Sequence, residues 1–182
     1  MKFKFFFKKK LKKKCYELKE LPLNKIIKIK VNKKQVGSDR LANSLAVINK
    51  KKNYIIVDFG TATTFDVVVK DSYLGGVIAP GVDLSLKTLS SKATLIPKIN
   101  LSKNSQVIGK NTISAVKSGF YWGYAGMIES IIKLISKQSK KNYEIIITGG
   151  YSNLFKNSIN LKSLVKKDLT IQGLVNVIKY IK

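Results

Sequence analysis

The stretch Val57-Asp58-Phe59-Gly60-Thr61-Ala62-Thr63-Thr64-Phe65-Asp66 constrains the fold more than any other part of the chain. Before it, Asn53-Tyr54-Ile55-Ile56-Val57 is β-branched and apolar, and from Phe65 to Val69 the pattern is strand-like again. The Gly-Thr-Ala-Thr core is therefore expected as a hairpin turn. Gly60 lets a ligand approach the backbone, and the hydroxyls of Thr61, Thr63 and Thr64 can donate to phosphate oxygens. Asp58, just before the turn, can hold a cation or a water. An ordinary hairpin with polar turn residues satisfies the same pattern, so the motif alone leaves both readings open.

Around this hairpin the organisation is regular. A third strand, Gly76-Val77-Ile78-Ala79, ends at Pro80-Gly81, and a helix is expected through Leu84, Leu86 and Leu89 to about Lys92. A loop over 96–108 leads to Gly109-Lys110-Asn111-Thr112, where Asn111 or Thr112 suits the N-cap of the longest helix. Its apolar positions Ile113, Val116, Phe120, Tyr124, Met127 or Ile128, Ile131 and Ile135 recur at helical spacing. Gly119, Gly123 and Gly126 lie along one side of that helix, open to a partner subunit or packed on the sheet. Glu144-Ile145-Ile146-Ile147-Thr148-Gly149-Gly150 is a buried strand ending in a turn that suits nucleotide contact, and a last helix covers about 171–180.

Composition narrows the chemistry. The 182 residues can bury a sizeable core, and 45% are hydrophobic. Cys15 is the single cysteine, which excludes an internal disulfide framework and fits a reducing, cytoplasmic setting. With no histidine, acid–base work falls to Asp, Glu, Lys or Tyr. The net charge of +25 invites a nucleic-acid reading. Lysine, however, is spread through 8–14, 50–52, 137–141 and 166–167 without aromatic interleaving or a binding module, a pattern that AT-rich coding explains. No specific nucleic acid is expected, only weak salt-sensitive adhesion. The start, Met1-Lys2-Phe3-Lys4-Phe5-Phe6-Phe7, has no secretory core or cleavage site, and no run of 18 apolar residues exists to span a membrane.

Against that lysine excess stands one arginine, Arg40, in Val36-Gly37-Ser38-Asp39-Arg40. A guanidinium fork grips a carboxylate bidentately, which lysine cannot reproduce. A structural Arg–Asp pair at the start of a helix running through Leu41, Leu45 and Ile48 accounts for the same residues.

Strand, hairpin turn, strand, strand, helix, helix, strand, helix is the order of one half of an actin-like ATPase, an α/β ribonuclease H-like fold with a mixed sheet flanked by helices. Five segments sharpen that likeness. These are residues 36–43, 58–66, 75–81 (Gly75-Gly76-Val77-Ile78-Ala79-Pro80-Gly81), 108–112 and Thr148-Gly149-Gly150, which in this order resemble the motifs of type III pantothenate kinase. The resemblance runs from about residue 30 to the C-terminus. It implies ATP-dependent phosphorylation of pantothenate, opening coenzyme A synthesis, with a monovalent cation, potassium or ammonium, and a homodimer. Residue by residue it implies Asp39 as proton acceptor; Gly37, Ser38, Asp39, Arg40 and Thr112 as pantothenate contacts; Thr61 as an ATP-phosphate contact; and Asp58 as the cation ligand. Phosphoryl transfer depends mainly on positioning and charge stabilisation, which this set could supply.

Two departures accompany the resemblance. The family's substrate-contacting tyrosine, seven residues before Gly37, is Lys30 here. The family also opens with an Asp-x-Gly-Asn-Thr turn that grips ATP from the opposite half, and this chain contains no such sequence. The expected division is therefore a basic, poorly structured remnant over 1–35, a substrate helix closing the first half over 36–53, and a complete second half over 54–182. A gene model starting late, a degenerate inactive relative and a first half supplied by another chain each explain this, the first being favoured. Relatives that act as transcription accessory factors supply the other functional class.

Overall fold

The computed structural model describes residues 15–181. Three strands form an antiparallel meander: β2 (Asn53–Phe59), β3 (Ala62–Val69) and β4 (Ser72–Pro80). β1 (Lys28–Ile29) lies parallel to β4, while β5 (Glu144–Gly149) and β6 (Ser163–Val165) extend the other side in parallel, giving the order β1-β4-β3-β2-β5-β6. The helices are α1 (Ser38–Val47), α2 (Val82–Lys92), α3 (Thr112–Ser139), α4 (Ser152–Phe155) and α5 (Leu169–Ile181). An antiparallel meander continued by parallel strands, with helices on both faces, is the actin-like, ribonuclease H-like arrangement that the motif order predicted.

Strand parity divides the core into two layers. Tyr54, Ile56, Val68 and Ile146 turn to one face, where Leu41 and Leu45 of α1 and Leu169 and Val177 of α5 cover them. Ile55, Val57, Phe59, Phe65, Ile145 and Ile147 turn to the other, against Tyr121, Ala125, Ile128 and Ile132 of α3 and Val82 of α2. Both faces of β2 and β5 are buried, which is why these strands read as nearly unbroken apolar runs. Phe155 stacks on Phe59 and Tyr121 at centroid distances of 5.0 and 5.9 Å, fixing the short α4 beside the ends of β2 and β5.

The hairpin is tighter than expected. Only Gly60 and Thr61 lie between the strands, and Ala62, Thr63 and Thr64 belong to β3, paired with Pro80, Ala79 and Ile78. β4 begins four residues earlier than its apolar run suggested and contains a bulge: Val67 pairs with Gly75 but Val68 with Tyr73, so Leu74 is the extra residue and Gly75 takes φ +110°. Asn111 caps α3 with a reciprocal box: its Oδ1 accepts from Ser114 N at 2.9 Å, and its own N donates to Ser114 Oγ at 3.1 Å. Thr112 is thus the first helical residue, with its hydroxyl not spent on the cap.

The lead segment differs from expectation where it can be described. Residues 1–14 lie outside the described residues, but 15–35 form three short 3₁₀ turns and β1, and Leu18, Leu23 and Ile27 are buried beneath α1 and α5. Isolated leucines and isoleucines between lysines show no period, yet each fills a gap in the layer. No helix among the described residues is long and apolar enough to cross a membrane.

Candidate active site

Parity places four polar residues on the α1 face of a sheet otherwise lined with aliphatic groups. Asp58 is the last but one residue of β2, with Thr64 opposite it on β3 and Thr148 beside it on β5, and Asp66 lies two residues further along β3. Thr148 and Asp66 are 2% and 0% exposed. All four lie at or near the carboxyl ends of the parallel strands β2 and β5, where open α/β sheets bind ligands.

α1 supplies the partners. Arg40 and Asn43 are one turn apart on its inward face. Arg40 Nε donates to Asp66 Oδ1 at 2.8 Å, and Nη2 lies 2.7 Å from the same oxygen as an ion pair without hydrogen-bond geometry. Tyr73 O–H donates to that oxygen too, at 2.8 Å. Asp66 Oδ2 and the Thr63 and Thr64 hydroxyls are buried with no hydrogen-bond partner among the described residues. Burial pushes the Asp66 carboxyl up to about 6, even against the guanidinium and the tyrosine hydroxyl. The same burial, with Asp66 alongside, raises Tyr73 and keeps it a donor.

Asn43, fully buried, links α5 to β2. Its Nδ2 donates to Asp58 Oδ2 at 2.8 Å, while its Oδ1 accepts from Thr170 Oγ1 at 2.7 Å. Burial raises the Asp58 carboxyl; the Asn43 hydrogen bond pulls it back, and the charge of Asp39 adds to the rise. Asp39 itself is exposed in the first turn of α1, where its Oδ1 accepts from Arg40 N at 2.9 Å. A Cβ on Gly37 would come within 2.3 Å of that oxygen, so glycine is required to let the carboxylate fold back over the helix start.

The glycine motifs converge on the same edge. A Cβ on Gly81 would lie 2.1 Å from the Thr61 carbonyl oxygen, so the end of β4 packs directly on the hairpin. Gly149 has φ +86°, and a Cβ there would sit 2.6 Å from Asp58 Oδ1. Gly150 N donates to Phe59 O at 3.1 Å. Beyond this edge, a cavity of about 490 Å³ opens between α2 and the following loop, lined by Asp83, Lys87, Lys98, Leu101 and Tyr151. Tyr151 O–H donates to Asp83.

Of the residues singled out in the sequence, the structure gathers Gly37, Ser38, Asp39 and Arg40 at the start of α1, with Asp58 close by. Thr61 is exposed at the hairpin tip. Thr112 opens α3, which packs on the opposite face, and makes no hydrogen bond to this cluster among the described residues. Arg40 pairs with Asp66 through its side chain, not with Asp39. Sequence reading assigned no role to Asn43, Asp66, Tyr73, Gly76 or Thr170. Asp66 had a signal: a carboxylate at a buried strand position, in phase with Asp58, in a chain with ten acidic residues.

A family model for type III pantothenate kinase matches residues 1–134. A type III pantothenate kinase of Pelagibacter ubique is 63% identical over 179 residues, 98% of this chain and 72% of that protein. The chain belongs to the type III pantothenate kinase family. A further member, from Cereibacter sphaeroides, is 48% identical over 147 residues, covering 80% of this chain and 57% of its own length. Among solved structures, a Campylobacter jejuni protein assigned to the Baf family of transcriptional activators superposes with TM-score 0.64 at 21% identity, covering 87% of this chain and 71% of its own. The Alp12 filament protein superposes with TM-score 0.52 at 18% identity, covering 79% and 53%. These two establish the fold alone.

Proposed function

We propose that the chain acts in the ATP-dependent phosphorylation of pantothenate, with Asp39 accepting the proton of the substrate hydroxyl. The observation that carries this reading is the convergence of the family's separate motifs on one sheet edge: the α1 start, Asp58, the Gly60-Thr61 turn, Gly81 and Gly149-Gly150. Transfer forms a bond from the hydroxyl oxygen to the γ-phosphorus and breaks the bond to the β–γ bridging oxygen. ADP leaves, and the proton passes to Asp39. An exposed carboxylate at a helix start suits that task, because the substrate can reach it.

The other parts follow from chemistry and place. Gly37, Ser38 and Arg40 bind pantothenate, Arg40 toward its carboxylate; Thr112, assigned to pantothenate by the family likeness, stands apart from them at the start of α3. Thr61 offers its exposed hydroxyl and turn to the ATP phosphates, and the cavity beside Tyr151 takes the nucleoside, its volume being within the usual range for such ligands. Asp58 Oδ1 and Thr64 Oγ1 are hard oxygen donors suited to potassium or ammonium, and Gly149 leaves room at that carboxylate oxygen. Such a cation would offset phosphate charge beside the hairpin. Lys30 follows β1 and donates its backbone N–H to Tyr73 O at 2.9 Å, which sets it beside β4.

The protein is further proposed to be a cytoplasmic homodimer. Gly119, Gly123 and Gly126 are exposed on α3 with no atom within 4 Å of a built Cβ, and Trp122 lies beside them, 36% exposed. The test of function is pantothenate-dependent ADP formation, with and without potassium, by wild type and Asp39→Asn. Turnover lost in the variant while pantothenate binding persists is expected. Equal turnover in both would refute Asp39 as the acceptor.

A further inference from the structure

We propose that Asp66 and Tyr73 are positioning residues that set the Arg40 guanidinium to read a carboxylate, with Gly76 making the seat possible. This rests on the assignment of Arg40 to pantothenate above. Two donors and one ion-pair contact converge on Asp66 Oδ1: Arg40 Nε at 2.8 Å and Tyr73 O–H at 2.8 Å donate to it, and Arg40 Nη2 lies 2.7 Å away. Of the five N–H donors of the guanidinium, Nε alone is hydrogen-bonded among the described residues. Nη2 is buried against Asp66 Oδ1, which leaves the Nη1 amino group to meet a substrate carboxylate, and the side chain is 12% exposed at the rim that Asp39 occupies.

The fold departs from regularity to build this seat. Gly76 pairs with Asp66 across β3 and β4, and a Cβ there would lie 2.8 Å from Arg40 Nη2 and 1.7 Å from the Phe65 carbonyl oxygen. Tyr73 is three residues from Gly76, so in an unbroken strand the two would face opposite ways. The bulge at Leu74 restores phase and brings the Tyr73 hydroxyl under Asp66. A salt bridge that only tied α1 to the sheet would need neither a second donor nor a bulge. With Tyr73 holding one carboxylate oxygen, Asp66 cannot swing, and the guanidinium plane is fixed before substrate arrives.

The test titrates the full chain with pantothenate and with pantothenol, in which an alcohol replaces the carboxylate, for wild type, Tyr73→Phe, Asp66→Asn and Arg40→Lys. Thermal melting is measured in parallel. Wild type should prefer pantothenate, and each variant should lower that preference by about tenfold. Tyr73→Phe, nearly isosteric, should do so with its fold intact. If wild type discriminates and Tyr73→Phe and Asp66→Asn keep the full ratio, weakening both ligands alike or neither, the proposal falls while the pantothenate reading stands. A wild type that binds neither ligand, or both equally, overturns the Arg40 assignment and the proposal with it.

Discussion

Asp66 concentrates the site's electrostatic cost in one side chain. It is wholly buried, and removing an ion pair from water can cost more than the pairing returns unless the remaining lone pairs are matched, yet its Oδ2 has no hydrogen-bond partner among the described residues. Its carboxyl consequently rises from the ordinary range to about 6. A folded value above the unfolded one means that the native state binds the proton more tightly. The group's stabilising contribution is then complete below about pH 4 and disappears as pH rises through about 6. Melting temperatures of wild type relative to Asp66→Asn should fall across that window and stay level above it. A difference that rises with pH would mean that Arg40 and Tyr73 overcompensate burial.

Residues of this kind were only half legible beforehand. Arg40 stood out because the chain uses lysine everywhere else, and its partner was open between Asp39 and a substrate; the structure supplies a third candidate, Asp66, 26 positions away. Asp66 stood within the most informative segment and in phase with Asp58, but nothing local says that a helix will deliver an arginine to it. Tyr73 was illegible in principle. Parity counted from Gly76 puts it on the wrong face, and a single-residue bulge reverses that.

At the scale of elements, the site depends on how closely α5 holds α1. Gly173 is buried against Ala42, where a Cβ would lie 1.8 Å from the carbonyl oxygen, and Thr170 secures Asn43 and through it Asp58. Gly173→Ala should separate the helices and cost about 1–3 kcal/mol, read as a lower urea midpoint. An unchanged midpoint would show that the helices have slack. The long elements were legible from periodicity: β2, β5, α2 and α3 fall within a residue or two of expectation. The short ones were not. β6 and α4 have three and four residues and take their conformation from neighbours, as do the 3₁₀ turns over 15–35.

For the whole molecule, the spread of lysine leaves a net charge of +25 to be tolerated after the ten acidic residues are counted, and Lys28–Asp71 at 3.0 Å and Lys52–Glu144 at 2.6 Å are only surface pairs. The proposed dimer would therefore form through an uncharged face, and the glycines of α3 provide one. Sedimentation should give a dimer for wild type and a folded monomer for Gly123→Arg, since that position is open within the chain and arginine favours helix over glycine. A monomeric wild type, or a variant that still dimerises, would remove α3 as the interface. The chain spans 72% of the Pelagibacter ubique relative and 57% of the Cereibacter sphaeroides one, so activity is best tested in two forms. The most direct measurement is transfer of labelled γ-phosphate from ATP to pantothenate, by the 182-residue chain and by its fusion to the uncovered part of the Pelagibacter ubique relative. The account predicts labelled phosphopantothenate from the fusion, potassium-dependent and abolished by Asp39→Asn; a folded fusion that binds ATP yet labels no pantothenate would contradict it.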